Sequence, residues 1–157
     1  MINIVRIFLD LEATQFSKEI ISIGAVSDKN QEFYKLVRSK KKITKLITDL
    51  TNITNEDLKK AKKFYEVFDE FWDWCCSQKT TKNEKIIFFV YGNFDGELIK
   101  AEYLRRPKDK RLFYIYSNII DVQYYLMMSV FGSISYSLSL LKATKQFTNN
   151  DNLEQDH

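Results

Sequence analysis

Two carboxylates that lie one residue apart, Asp10 and Glu12, have the clearest potential for chemistry in this sequence. They end the apolar run IFLDLE (7–12), whose composition predicts a β-strand. In a strand, residues i and i+2 point to the same face with Cα atoms roughly 6.5–7 Å apart, so the two side chains could bind one divalent cation. Most acidic pairs of this spacing are solvated surface, so the pair alone indicates either half of a metal site or an ordinary strand end.

Three further residues could join such a site. Asp95 follows the apolar run EKIIFFVYG (84–92) and opens a predicted helix, where an acid commonly stabilises the helix dipole. If the strand before it neighbours the strand of Asp10, the two carboxylates would face one site. Asp121 lies near a strand end and equally suits a helix N-cap. His157 is the only histidine and the last residue, and composition alone favours a solvated terminal side chain.

Three basic clusters, RSKKKITK (38–45), KKAKK (59–63) and RRPKDKR (105–111), are the other notable feature. Each alone is typical of a solvated surface. Together they could contact the phosphates of a nucleic-acid strand. Tyrosine and phenylalanine are plentiful and could stack on bases, although most of them must form the core.

The elements that position these residues follow from apolar periodicity. Strands are predicted at 2–12, 19–26 and 31–39, which we expect to be antiparallel neighbours, then at 84–92 and 112–118. Helices are predicted from residue 64, where apolar residues recur at helical spacing, and at 94–106, 119–132 and 135–147. Thr54 and Asp57 resemble a capping box. The order βββ-α-β-α-β-α-α indicates one α/β domain, residues 1–157, with a mixed sheet.

The bulk composition limits the class of protein. The 157 residues carry 24 basic and 21 acidic side chains, a net charge of +3, which excludes neither nucleic acid nor a protein partner. No segment approaches the length of a transmembrane helix, so no membrane partner is predicted. The two cysteines, Cys75 and Cys76, are adjacent and predict no disulfide framework. A reducing, soluble compartment, the cytoplasm, is therefore expected.

Several motifs, in the right order along nearly the whole chain, resemble the DEDDh branch of the DEDD 3′→5′ exonucleases, which have an RNase H-like fold. The stretch FLDLEATQFSKEIISIGAV (8–26) resembles the first exonuclease motif, and FFVYGNFDGELIKAEY (88–103) resembles the second. Residues 47–74 resemble the family's segment after the third strand, in which a short LT-x-IT motif precedes a long amphipathic helix. Residues 138–157 resemble the approach to the third motif.

The resemblance implies a five-stranded mixed sheet flanked by helices and a 3′→5′ exonuclease that uses two Mg²⁺ or Mn²⁺ ions. It implies that Asp10, Glu12 and Asp95 bind the metals and that His157 is the general base. The implied partner is the 3′ end of single-stranded RNA or DNA. A metal pair suits this reaction, because it supplies a hydroxide and stabilises both the attacking and leaving oxygens.

The sequence departs from the family pattern at its end. The family's fourth acid lies five residues after the motif histidine, within a last helix, and this sequence stops at His157. We therefore expect weak or absent activity, whether the chain is a truncated piece or a degenerate form. The alternative is a non-catalytic module that binds nucleic acid or protein on the same fold. Apolar surface that the missing helix leaves uncovered could also form a homodimer.

Overall fold

The computed structural model describes residues 3–132 and 138–148, and within them five strands form one mixed sheet in the order β3-β2-β1-β4-β5. The first three strands are consecutive antiparallel neighbours, as predicted, whereas β4 and β5 run parallel to β1. The strands span Ile4–Ala13 (β1), Ile20–Ser27 (β2), Glu32–Leu36 (β3), Lys85–Val90 (β4) and Ile119–Asp121 (β5).

Seven α-helices and one π-helical segment complete the described part of the chain. The α-helices span Lys45–Thr51 (α1), Asn55–Lys60 (α2), Phe64–Ser77 (α3), Phe94–Arg105 (α4), Lys110–Ser117 (α5), Val122–Leu126 (α6) and Leu140–Thr148 (α7), and the π-helical segment spans Met127–Phe131. The predicted capping box begins α2: the Thr54 hydroxyl accepts from the Asp57 N–H, and the Asp57 carboxylate accepts from the Thr54 N–H. None of the described helices is long and apolar enough to cross a membrane.

The core lies on one face of the sheet. Alternate residues of β1, among them Ile7 and Leu9, are buried together with apolar residues of α3, α4 and α5. The spacing that predicts a helix from residue 64 is confirmed, because Phe64, Val67, Phe68, Phe71 and Cys75 are all buried on one side of α3. A smaller cluster joins Ile21 to apolar residues of α1, α2 and the loops around them.

The opposite face of the sheet carries a row of apolar side chains that remain accessible in the described structure. Strand registers align Val26, Phe8, Phe89 and Ile120 across β2, β1, β4 and β5. Phe8 stacks on Phe89 with ring centroids 5.4 Å apart, yet Phe8 is 49% exposed. β1 is the central strand of the sheet, between β2 and β4, and its residues are buried mainly on one of its two faces.

The prediction of a strand at 112–118 is wrong, because these residues belong to α5. The Asp109 carboxylate caps α5 by accepting from the Arg111 N–H at 3.0 Å, and Leu112 and Ile115 are both buried at helical spacing. The fifth strand follows instead, at Ile119–Asp121, so the predicted helix at 119–132 begins only at Val122. Residues 135–137, the start of the last predicted helix, lie outside the described residues, and α7 begins at Leu140.

Candidate active site

The parallel pairing of β1 with β4 brings the sequence-predicted acids to one edge of the sheet. The pairing extends to Phe8↔Phe89. Beyond it, β1 continues through Asp10 and Glu12, whereas β4 ends and a short turn leads into α4. In the first turn of α4, one carboxylate oxygen of Asp95 accepts the backbone N–H of Leu11 at 2.8 Å. Asp95 is thus bonded to the residue between Asp10 and Glu12, and the three carboxylates lie in one cluster.

The three carboxylates repel one another, and the protein around them removes part of their hydration. Burial raises the pKa of Asp95 to about 6, and the charges of Asp10 and Glu12 raise it as well, although the Leu11 hydrogen bond opposes the shift. Burial, followed by the charge of Asp10, raises the pKa of Glu12. Asp10 keeps an exposed surface, but the surrounding protein desolvates it enough to raise its pKa too. A bound cation would stabilise the fully ionised form of this cluster, because an opposite charge nearby favours ionised carboxylates.

Tyr34 is a neighbour of this cluster that the sequence analysis did not identify. The strand registers pair Asp10 with Gly24 and Gly24 with Tyr34, so the three residues form one row across β1, β2 and β3. A Cβ atom at Gly24 would lie 3.7 Å from the Tyr34 ring, so the ring approaches the strand where there is no side chain. Partial burial raises the pKa of the Tyr34 phenol, as do the charges of Glu12 and Asp10, against a hydrogen bond with Ser22. A glycine in an apolar strand was the only signal in the sequence.

A β-bulge lies beside Glu12. Glu12 pairs with Ser22 but Ala13 pairs with Ile20, so the register skips Ile21. The fully buried Ile21 side chain then packs in the smaller cluster with α1 and α2. Bulges next to functional sites re-aim side chains, and this one ties the strand end of Glu12 to a second group of helices.

Asp121 serves as a helix cap, one of the two roles that its position suggested. Its carboxylate accepts the Tyr124 N–H at 3.2 Å at the start of α6 and the Gly92 N–H at 2.9 Å. Gly92 has a φ of +94°, a conformation that favours glycine. Asp121 therefore holds the turn between β4 and α4, which carries Asp95.

The donor chemistry of the carboxylate cluster suits a divalent cation, because oxygen ligands are those that Mg²⁺ and Mn²⁺ prefer. Within the described residues, however, no group of three or more His, Cys, Asp or Glu side chains is arranged to hold a metal ion. One oxygen of Asp95 is already engaged by Leu11. The fourth predicted site residue, His157, lies outside the described residues.

Comparison with known proteins gives a family match over most of the chain. Residues 7–156 match the RNase_T family model, described as an exonuclease. A comparison with curated proteins found no significant match.

Solved nuclease structures share the fold. One is the nuclease domain of 3′hExo, a DEDDh family member bound to rAMP, with a TM-score of 0.64, 19% identity and coverage of 82% of this chain and 71% of that chain. A second is cell-death related nuclease 4, with a TM-score of 0.65, 16% identity and coverage of 99% of this chain and 58% of that chain. A third is Exonuclease X in complex with 5′ overhanging duplex DNA, with a TM-score of 0.50, 14% identity and coverage of 96% and 78%.

The chain spans only 40% of a full-length 3′-exonuclease that it also resembles. The family match nevertheless covers almost every residue of the chain, and the five-stranded mixed sheet with its flanking helices is the arrangement of these structural neighbours. The chain therefore belongs to the RNase_T exonuclease family and has the RNase H-like fold of the DEDDh exonucleases.

Proposed function

We propose that this chain is a 3′→5′ exonuclease that acts on single-stranded RNA or DNA with the help of Mg²⁺ or Mn²⁺. The observation that carries the proposal is the hydrogen bond from the Leu11 N–H to Asp95, which joins the acids of two exonuclease motifs in one cluster. Family membership supports a nuclease. One structural neighbour is bound to rAMP and another to DNA, which supports a nucleic-acid substrate of either kind.

In this proposal, Asp10, Glu12 and Asp95 hold the ions. Bound divalent ions would supply a hydroxide at neutral pH and stabilise the charge that develops on the phosphate oxygens. The raised pKa of Asp95, about 6, means that the cluster retains a proton more readily than free carboxylates do. Binding of a cation would release that proton, so the affinity for metal should rise with pH.

His157 is proposed as the general base on the resemblance alone. A neutral imidazole has a suitable pKa for accepting a proton from water near neutral pH. The substitution His157→Ala should therefore lower turnover while leaving metal binding by the carboxylates in place.

The test is digestion of 3′-labelled and 5′-labelled single-stranded RNA and DNA in the presence of Mg²⁺ or Mn²⁺. We expect stepwise shortening from the 3′ end. Asp10→Asn or Asp95→Asn should reduce the rate of shortening by at least about a hundredfold, because loss of a residue that only hydrogen-bonds a metal ligand already reduces activity by up to that much. Glu97→Gln is the matched control, because Glu97 is an exposed acid on the same helix whose oxygen lies 3.8 Å from Lys100.

Absence of 3′ shortening in both metals, with Asp10→Asn indistinguishable from the parent, would exclude an active enzyme. Shortening that Glu97→Gln reduces as strongly as Asp95→Asn would exclude the assigned ligands.

A second candidate function is a nucleic-acid-binding module without catalysis. It is favoured by the finding that the described acids do not form a three-ligand metal group. This candidate predicts binding that weakens with salt and does not require a divalent ion. A metal titration that detects no saturable binding to the parent, together with retained binding of single strands, would support it over the exonuclease.

A further inference from the structure

A basic groove lies away from the carboxylate cluster and joins residues that are far apart in the sequence. It consists of two adjoining cavities of about 380 and 300 Å³ that share Arg38, Ser39 and Lys40 in their walls. We call this the basic groove, and the basic side chains along its length are Arg38, Lys40, Lys41, Lys42, Lys59 and Lys63. Arg105 and Arg106, at the C-terminal end of α4, line one end of it. All three basic clusters of the sequence thus contribute to one surface.

The charge of the basic groove is out of proportion to that of the chain. Eight basic side chains and two carboxylates, Glu19 and Glu102, line its two cavities, which leaves an excess of six positive charges. The whole chain carries a net charge of only +3, so the rest of it is negative by three. Such a segregation of charge attracts a polyanion, because the field of one surface is not cancelled by its neighbours.

The end of the groove that Arg105 and Arg106 line is held in place by a buried acid. Glu102 is 4% exposed, and its two oxygens accept from the guanidinium groups of Arg105 and Arg106. Arg105 also donates to the backbone carbonyl of Ser17 at 2.7 Å, and Arg106 lies over the Phe64 ring, 4.6 Å from its centroid. These contacts position two cations at the groove before any ligand arrives.

Most lysines of the groove remain available to a ligand. Lys59 pairs with Glu56. Among the residues that the structure describes, the ammonium groups of Lys40, Lys41 and Lys63 have no carboxylate within ion-pair distance, and all three residues are exposed. Lysines without a partner can exchange counterions for phosphates at little cost in existing contacts.

An aromatic side chain favours a single-stranded nucleic acid over other polyanions. Tyr65 lines the larger cavity and is 53% exposed, whereas the neighbouring Phe64 is buried in the core. A cationic groove with an exposed aromatic ring is the combination by which proteins bind single strands, through phosphates and stacked bases together.

We propose that the basic groove binds the backbone of a single-stranded nucleic acid at a distance from the carboxylate cluster. From Asp95 to Arg105, α4 extends about 15 Å at 1.5 Å per residue, the span of roughly four stacked nucleotides. The strand that enters the groove is thus a part separate from the end held at the carboxylates. Only the orientation of the strand, with its 3′ end at the carboxylates, rests on the proposed function. Binding in the groove itself requires neither metal nor hydrolysis.

The test is fluorescence anisotropy of labelled single strands of about 4 and about 20 nucleotides, RNA and DNA in separate arms, with a chelator present throughout. The variant is Lys40→Gln/Lys41→Gln/Lys63→Gln. We expect the parent to bind the longer strand more tightly. The variant should lose at least about tenfold in affinity for it at low salt and reduce the salt slope, d log K/d log [salt], by about two, because each phosphate contact contributes about 0.7.

The matched control is Lys82→Gln/Lys85→Gln/Lys110→Gln, which removes the same charge from exposed lysines outside the groove. An equal loss of affinity in the control variant, or an unchanged salt slope in the groove variant, would overturn the proposal. Because the chelator prevents hydrolysis, failure here would leave the exonuclease assignment untouched. Conversely, an inactive parent that still binds through the groove would refute only the exonuclease.

A second variant distinguishes nucleic acid from an unspecific polyanion. Tyr65→Ala should weaken binding of the longer single strand by about fivefold or more, since stacking of one base on an aromatic ring contributes about 1–3 kcal/mol. It should leave the salt slope unchanged, because no charge is removed. Unchanged affinity in Tyr65→Ala would mean that the groove binds charge alone, which would overturn the assignment of a single-stranded nucleic acid.

Discussion

At the scale of single residues, Asp95 is the carboxylate, among those that the structure describes, whose burial most strongly opposes its charge. It is 5% exposed, its pKa is raised to about 6, and two further acids lie close enough to oppose its ionisation. Its hydrogen bond to the Leu11 N–H offsets only part of that cost. Such a cost is typical of a functional site and is paid in stability of the unliganded fold.

The raised pKa of Asp95 predicts that the free energy of unfolding depends on pH. Since the folded pKa is above the usual value of 3.8, the folded state binds more protons between about pH 4 and 6, so stability should fall as pH rises through this range. In a chelator at pH 7.5, Asp95→Asn should be more stable than the parent by roughly 2 kcal/mol, because the amide keeps the acceptor for Leu11 without the charge. This difference in stability between Asp95→Asn and the parent should be smaller at pH 4.5.

Urea denaturation at the two pH values measures this effect. A stability difference between parent and Asp95→Asn that is the same at pH 4.5 and pH 7.5 would contradict the assigned pKa. Glu97→Gln, at the exposed position on α4, should show no such change.

At the scale of elements, the site depends on the short turn between β4 and α4. The Asp121 carboxylate links this turn, through Gly92, to the start of α6. The side chain of Gln123 packs close to the same turn, because a Cβ atom placed on Gly92 would lie 3.3 Å from its amide oxygen. The Gln123 amide also donates to the Leu138 carbonyl at 2.9 Å. The position of Asp95 is therefore set by the end of the neighbouring strand as much as by its own helix.

Asp121→Ala should remove both hydrogen bonds and destabilise the fold by about 1–2 kcal/mol, the usual cost of a lost N-cap. Asp121→Asn retains an acceptor and should recover most of this loss. Thermal or urea unfolding compares the two variants with the parent. If the alanine and asparagine variants were equally destabilised, the charge of Asp121 rather than its hydrogen bonds would be responsible, and the capping role would be wrong.

At the scale of the whole molecule, one sheet face is packed and the other is open in the described structure. The packed face carries the main core, whereas the row Val26, Phe8, Phe89 and Ile120 crosses four strands of the open face. Three of these four side chains are at least 40% exposed. A contiguous apolar row of this kind is typical of a surface that contacts another protein.

We propose that a second copy of this chain covers the open face and forms a homodimer. A symmetric dimer would pair the row with itself, which buries identical patches on both copies. Light scattering coupled to gel filtration should then give twice the monomer mass of 18.7 kDa, and Phe8→Thr should shift the protein to the monomer. A parent that remains monomeric at high micromolar concentration would contradict this proposal, whereas Phe33→Leu, in the packed core, should leave the mass unchanged.

Much of this molecule was accessible from local patterns in its sequence. The strand around Asp10, the capping box at Thr54 and the helix that begins at Phe94 are each defined by residues within a few positions of one another. Apolar periodicity and capping are properties of a single element, so they can be read without knowledge of the neighbours. The resemblance of several motifs, in the right order, to the exonuclease family likewise implied its fold and its five-stranded sheet.

Only the tertiary structure decided which distant residues meet. Tyr34 approaches Asp10 because two strand registers align them across Gly24, and Ile21 has no partner in β1 because of a bulge that no local pattern marks. Residues 112–118 suit a strand by composition, but the edge of β4 is paired by Ile119–Asp121, which leaves the preceding segment to fold as a capped helix. The basic groove is the clearest case, since its cations come from three segments of ordinary solvated appearance. Their convergence depends on pairings between elements far apart in the chain, and such non-local contacts have no signature in any one segment.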